Sequence, residues 1–259
     1  MRRTGARALT DGIAGLLRGS AALVTGAGRG IGRGIALELA EAGADLALLS
    51  RTPGELDQVA AEVRAAGRKV TTGIADIRDP TAVEEALRRA RETHAVIDVL
   101  VNNAGIQGEF MKFWEYDEEG YRATVDTNLT GTFIVSQLVA RYWRDRGIAG
   151  RMVNIASVES EIAYPDQAPY AATKGGILTM TKVLARELAR HGIRVNAIGP
   201  GPIETPLSEQ FRELSEAGTA MHRLGDVAEV GSVAVFLCSR MSSYMTGTVV
   251  YVDGGYMLK

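Results

Sequence analysis

Short apolar runs bounded by turn residues alternate along the chain with longer stretches whose apolar positions recur at helical period. The runs predict strands near 21–25, 44–50, 69–75, 97–102, 151–157, 193–199 and 248–253. The periodic stretches predict helices near 30–43, 54–66, 80–94, 118–146, 168–191 and 226–238. Gly43 and Gly67 suit left-handed helix ends, and Asp79-Pro80 suits a helix start. Repeated strand–helix units predict an α/β fold: a Rossmann-like three-layer αβα sandwich around a doubly wound parallel sheet of seven strands. Right-handed crossovers then bring the C-terminal strand ends to one edge, where ligands bind at the topological switch point.

Length and composition narrow this picture. The 259 residues contain no repeat and no linker long enough to separate a pair of domains, so residues 20–259 read as one dinucleotide-binding catalytic domain. Residues 1–19 read as a poorly ordered extension; Asp11 and Gly12 interrupt the apolar run an export signal needs after Arg2, Arg3 and Arg7. No apolar run approaches the ~18 residues of a membrane span, and a cytoplasmic location is expected. The single Cys238 excludes an internal disulfide, and with His94, His191 and His222 it forms no metal-ligand pattern. A net charge of −2 argues against nucleic acid or a membrane as partner and for a small molecule.

The candidate chemistry gathers at the predicted strand ends. After the first strand, Thr25-Gly26-Ala27-Gly28-Arg29-Gly30-Ile31-Gly32 leads into a helix. Glycines allow backbone N–H groups to approach a pyrophosphate, and the helix N-terminus favours the anion. No register gives G-x-G-x-x-G; the spacing is G-x-x-x-G-x-G. The second strand ends Ser50-Arg51-Thr52, without the carboxylate that would hold a ribose 2′-hydroxyl. Arg51, with Arg29, can instead pair with a 2′-phosphate, which favours NADP(H) and leaves NAD(H) as the alternative. Asp76, followed by Ile77, either accepts from an adenine amino group or caps a turn. Asn102-Asn103-Ala104-Gly105 either admits the cofactor closely or is a plain turn.

Tyr170 and Lys174 stand one helical turn apart, with Ser157 thirteen residues upstream of Tyr170 at a strand end. A lysine charge about 4 Å from a phenol, at an effective dielectric near 20, is worth roughly 4 kcal/mol, or about 3 pKa units. The spacing therefore predicts a phenol made acidic enough for proton transfer beside a hydride-accepting or hydride-donating cofactor.

From about residue 20 to 256 these motifs, in this order, resemble the short-chain dehydrogenase/reductase family. Its T-G-x-x-x-G-x-G turn matches Thr25 to Gly32, its Y-x-x-x-K matches Tyr170 to Lys174, and its P-G segment matches Pro200-Gly201. The resemblance implies a tetrad of Asn128, Ser157, Tyr170 and Lys174. Tyr170 would exchange the alcohol proton and Ser157 would hold the carbonyl oxygen. Lys174 would lower the Tyr170 pKa and bind the nicotinamide ribose, while Asn128 would hold a water linking Lys174 to solvent. Ile203 and Thr205 would approach the carboxamide. Relatives form homodimers or homotetramers through the helices at 118–146 and 168–191, and Ile177, Met180 and Val183 serve either that contact or the sheet face.

The implied activity interconverts a secondary alcohol and a ketone. Residues 107–116, 158–164 and 205–222 are expected to line the substrate side, the last as a lid. Glu159 and Glu161 are unusual for an apolar pocket and point to a sugar, polyol or other oxygenated substrate, or else face solvent. Trp114 is a pocket wall or core. The alternatives are a 3-ketoacyl, steroid or aromatic-ketone reductase of the same family, a sugar-nucleotide epimerase or dehydratase, and a cofactor-binding regulatory protein without turnover.

Overall fold

The computed structural model describes residues 14–206, 208 and 212–258. Strand β1 (Ala21–Thr25) leads to helix α1 (Gly30–Glu41), β2 (Asp45–Ser50) to α2 (Pro53–Ala65) and β3 (Val70–Ile74) to α3 (Pro80–Thr93). After β4 (Val99–Asn102) come α4 (Glu118–Val125), a π-helical turn (Asp126–Thr130) and α5 (Gly131–Arg146). The chain then runs through β5 (Arg151–Ile155), α6 (Ala168–Leu188), β6 (Arg194–Pro200), α7 (Arg212–Gly218), α8 (Val227–Cys238) and β7 (Val249–Val252). The seven strands form one parallel sheet in the order β3-β2-β1-β4-β5-β6-β7. This is the doubly wound sheet expected, and its order reverses between β1 and β4.

Central strands are apolar on both faces because helices cover both. Val24 and Leu48 pack with Ile35 and Leu39 of α1, Leu56 and Val59 of α2 and Val230 and Val235 of α8. Their neighbours Leu23 and Leu49 point the other way, to Val83 and Leu87 of α3 and Val139 and Trp143 of α5. Trp143 is wholly buried and donates its Nε1–H to the Ile97 carbonyl at 2.7 Å. Truncating such a side chain to alanine costs about 3–5 kcal/mol.

Three local departures from the sequence reading have physical causes. The stretch 118–146 is not one α-helix: hydrogen-bond register slips at Asp126–Thr130, a wider turn of the kind that recurs at functional sites. The short helix α7 falls within the stretch expected to be a lid; 207 and 209–211 of that stretch lie outside the described residues. The packing of the described residues extends to before residue 20. Leu17 is buried in the core and its N–H donates to the Ala42 carbonyl at 2.9 Å, so 14–19 pack against the end of α1; 1–13 lie outside the described residues.

Candidate active site

The C-terminal ends of β1 and β4 are tied together by side chains. Thr25 Oγ1 accepts the N–H groups of Asn103 and Ala104 at 3.0 and 3.1 Å, while Asn103 Nδ2 donates to the carbonyls of Thr25 and Gly26 at 3.0 and 3.1 Å. Asn103 thus shapes the crevice, and its amide is occupied in doing so. A Cβ on Gly32 would stand 2.2 Å from the Gly26 carbonyl oxygen, so only glycine lets α1 start this close to the strand. Gly30 opens the helix at φ +53°. Arg29, at the N-cap, provides no side-chain cap, whereas Asp79 caps α3 through the N–H groups of Thr81 and Ala82. The first turn of α1, where Ile31 is half-buried against the core, keeps its N–H donors available. An uncapped glycine-lined helix start fits a dinucleotide pyrophosphate.

The rim beyond it is mixed in charge. Arg51 lies 3.8 Å from Asp76 and Arg29 lies 3.7 Å from Glu55, both looser than hydrogen-bonded pairs. A Cβ on Gly28 would be 3.1 Å from Glu55 Oε2 and 3.5 Å from Ser50 Oγ. Glu55, in the first turn of α2, thus stands beside the glycine turn, a residue the sequence reading passed over. Its signal was an acidic residue in the first turn of the next helix. Ser50 Oγ accepts the Thr52 N–H at 3.3 Å, fixing the turn after β2. Asp76 accepts the Arg78 backbone N–H at 2.9 Å and its guanidinium at 2.7 Å, which holds its carboxyl below the usual range. That is the turn-forming role. Ile77 is buried, its side chain against Gly131.

On the opposite wall, β6 ends at Pro200, and the Gly201 N–H donates to the Val252 carbonyl at 3.0 Å. Ile203 is buried and bridges to Gly225. Thr205 Cγ2 would be 3.7 Å from a Cβ on Gly30, so this loop reaches back across the crevice to the glycine turn.

The four tetrad residues converge beside this crevice. Ser157 closes β5, is buried, and its Oγ accepts the Glu159 N–H at 3.1 Å and bonds to Tyr170. Tyr170 and Lys174 lie on one face of α6, with the ammonium 5.5 Å from the phenol ring centroid and donating to the Ile155 carbonyl at 2.9 Å. Asn128, on the π turn, is fully buried; its Oδ1 accepts the Ile106 N–H and its Nδ2 donates to the Ile106 carbonyl, both at 2.8 Å. A Cβ on Gly105 would come within 3.1 Å of Asn128 Oδ1 and 3.8 Å of Lys174 Nζ, which joins this cluster to the end of β4.

The electrostatics differ from the sequence argument. Burial pushes the Tyr170 hydroxyl above its ordinary value of 10.0, the Glu159 charge adds to this, and the Ser157 hydrogen bond opposes it. Desolvation of the phenolate is the largest effect on this group. Burial pushes Lys174 down to about 8, against the pull of Glu159. Burial likewise pushes Glu159 up to about 7, with Lys174 opposing.

The substrate side separates residues the sequence left equivalent. Tyr251 donates to Glu161 Oε1 at 3.0 Å, whereas Glu159 Oε2 is buried with no hydrogen-bond partner among the described residues. Tyr164 and Tyr256 join through their hydroxyls, and Gln107 Nε2 donates to Gln167 Oε1 at 2.9 Å. Trp114 is 80% exposed, so it is not core. A buried polar chain missed by the sequence reading, Asn102 Nδ2 to Asn154 Oδ1 and Asn154 Nδ2 to Thr181 Oγ1, each at 2.9 Å, stiffens β4, β5 and α6 under the site. Among the described residues, no helix is long and apolar enough to cross a membrane.

Comparison with known proteins agrees with this arrangement. A family model described as enoyl-(acyl carrier protein) reductase matches residues 26–257. The chain is 40% identical over 245 residues to gluconate 5-dehydrogenase of Gluconobacter oxydans (strain 621H), covering 92% of this chain and 95% of that one. It is similar to a short-chain type dehydrogenase/reductase from Mycobacterium marinum, with a TM-score of 0.91 and 36% identity, covering 97% of this chain and 100% of the other. Carveol dehydrogenase from Mycobacterium avium, solved in complex with NAD, gives a TM-score of 0.91 at 28% identity, covering 95% and 100%. With the glycine turn, the Tyr–Lys helix and the doubly wound sheet in place, the chain belongs to the short-chain dehydrogenase/reductase family of oxidoreductases.

Proposed function

We propose that this protein interconverts a secondary alcohol and a ketone with a nicotinamide dinucleotide, using Ser157, Tyr170, Lys174 and Asn128. The observation that carries the reading is the convergence of Ser157 and Tyr170 hydroxyls beside a glycine-lined, uncapped helix start. When bound, the cofactor supplies or accepts the hydride. The protein contributes positioning and proton management. Ser157 and Tyr170 donate to the substrate oxygen and stabilise the charge that grows on it. Burial keeps Tyr170 protonated, which suits it to give its proton to a developing alkoxide. Lys174 replenishes that proton, and Asn128 holds the water through which Lys174 reaches solvent.

For the cofactor, Arg51 and Arg29 are loosely paired and exposed, which supports NADP(H) through a 2′-phosphate. Glu55 beside Gly28 and Ser50 favours NAD(H) as a second reading, as does the likeness to a protein solved with NAD. Two adjacent hydroxyl donors, Ser157 and Tyr170, suit a carbonyl oxygen, and the kinship with a gluconate dehydrogenase supports an oxygenated small molecule as substrate. Assembly as a homodimer or homotetramer through α4, α5 and α6 is supported by exposed Tyr121, Phe133 and Val183; Ile177 is buried against the sheet. The test is cofactor oxidation over a panel of ketones with each dinucleotide: no turnover with any of them counts against the reading.

A further inference from the structure

We infer that Glu159 is a specificity-determining residue that selects substrates carrying a free hydroxyl on the carbon next to the reacting one, and disfavours those with an anionic group there. The inference rests on the alcohol–ketone reading and deepens it. Glu159 sits on the 3₁₀ turn Val158–Ser160 directly after Ser157, and its N–H bonds to the Ser157 hydroxyl. Its backbone is thereby held against one of the two oxygen donors. Its charge bears on Tyr170, Lys174 and Tyr164, which places it close to the reacting centre.

The neighbouring hydroxyls have other partners, and Lys174 directs a hydrogen bond to the sheet. Lys174 Nζ donates to the Ile155 carbonyl, Tyr164 pairs with Tyr256, Tyr170 with Ser157, and Tyr251 with the other carboxylate, Glu161. Glu159 Oε2 is left buried without a donor among the described residues, an acceptor that a substrate hydroxyl entering the site would complete. A carboxyl accepts from hydroxyl groups and repels anions, so the complementary ligand is a vicinal diol or an α-hydroxy ketone. A mono-alcohol would leave the acceptor unpaired, and discrimination against ligands lacking a hydrogen-bonding group is the large kind.

The experiment measures kcat/KM on matched pairs, vicinal diols against secondary mono-alcohols of four to six carbons, linear and cyclic, with each dinucleotide. Wild-type protein, Glu159→Ala, Glu159→Gln and Tyr170→Phe are compared. The expected result is a wild-type diol-to-mono-alcohol ratio of at least about ten, falling about tenfold in Glu159→Ala. The influence of Glu159 on Tyr170 changes both members of a pair alike and cancels in the ratio. Glu159→Gln, which keeps an acceptor and removes the charge, restores most of the ratio and raises turnover of 2-hydroxy acids relative to diols. A wild-type ratio near one, or a ratio unchanged in Glu159→Ala while Tyr170→Phe abolishes turnover, overturns the inference and leaves the alcohol–ketone reading standing. No turnover of any pair by wild-type protein overturns that reading and the inference with it.

Discussion

The Lys174 ammonium lies 5.5 Å from the centroid of the Tyr170 ring and donates to the Ile155 carbonyl at 2.9 Å, so its charge is anchored to the sheet rather than to the phenol oxygen. With burial holding the Tyr170 proton, the free protein is set up as an acid. Ketone reduction is expected to run well near neutral pH and to fall as alkali removes the proton. Alcohol oxidation, which needs the deprotonated phenol, is expected to keep rising past the titration of Lys174 at about 8. Rate profiles in both directions check this; an oxidation limb that levels off below neutrality contradicts it.

Glu38 on α1 is 8% exposed, packs against Gly231 of α8, and is pushed up to about 7 by burial, with Glu41 and Asp226 adding to the shift. Its folded pKa is above the ordinary 4.5, so the native state holds more protons than the unfolded chain between those values, and stability falls as pH rises through that window. Glu38→Gln removes the slope. It is expected to raise the melting temperature by a few degrees more at about pH 8 than at about pH 5. Equal shifts at both pH values, measured by calorimetry, would contradict the assignment.

Gly30 has φ +53°, and the nearest atom to a Cβ placed there is Thr205 Cγ2 at 3.7 Å. The position has room but an unfavourable backbone. Gly30→Ala is expected to cost roughly 1–2 kcal/mol of stability and still fold. Because the methyl group would stand in the phosphate cradle, dinucleotide affinity is expected to drop about tenfold or more by titration calorimetry. Unchanged affinity would place the pyrophosphate elsewhere.

Much of this was legible in the residues. Runs such as Ala21–Thr25 and Val99–Asn102 are mostly apolar and buried at every position because both sheet faces are covered, and all seven strands were placed from such runs. Tyr170, Lys174 and Ser157 stood out by their spacing, while Asn128 came from the family resemblance alone. What escaped depended on contacts distant in sequence. The π turn at Asp126–Thr130 leaves the apolar period nearly intact, so no pattern marks it. Glu159 and Glu161 are the same residue two positions apart, and only Tyr251, on the last strand, tells them apart. Spacing gave Tyr170 a neighbouring charge and says nothing of the desolvation that pushes its pKa up.

Arg51 and Glu55 stand on opposite sides of the cofactor question. Arg51→Ala is expected to lower the NADPH-to-NADH ratio of binding constants, and Glu55→Ala to raise it, each by about tenfold. Fluorescence titration with each reduced dinucleotide reads this directly. A ratio unmoved by both substitutions would remove these two side chains from cofactor selection.

The most direct test of the central claim is the pre-steady-state hydride-transfer rate of Tyr170→Phe, measured with dinucleotide affinity on the same preparation. The phenol bonds to Ser157 and carries the transferable proton. The account predicts dinucleotide affinity within about twofold of wild type and a transfer rate lower by about a hundredfold or more. A rate near that of the wild type, with the cofactor bound as tightly, would contradict it.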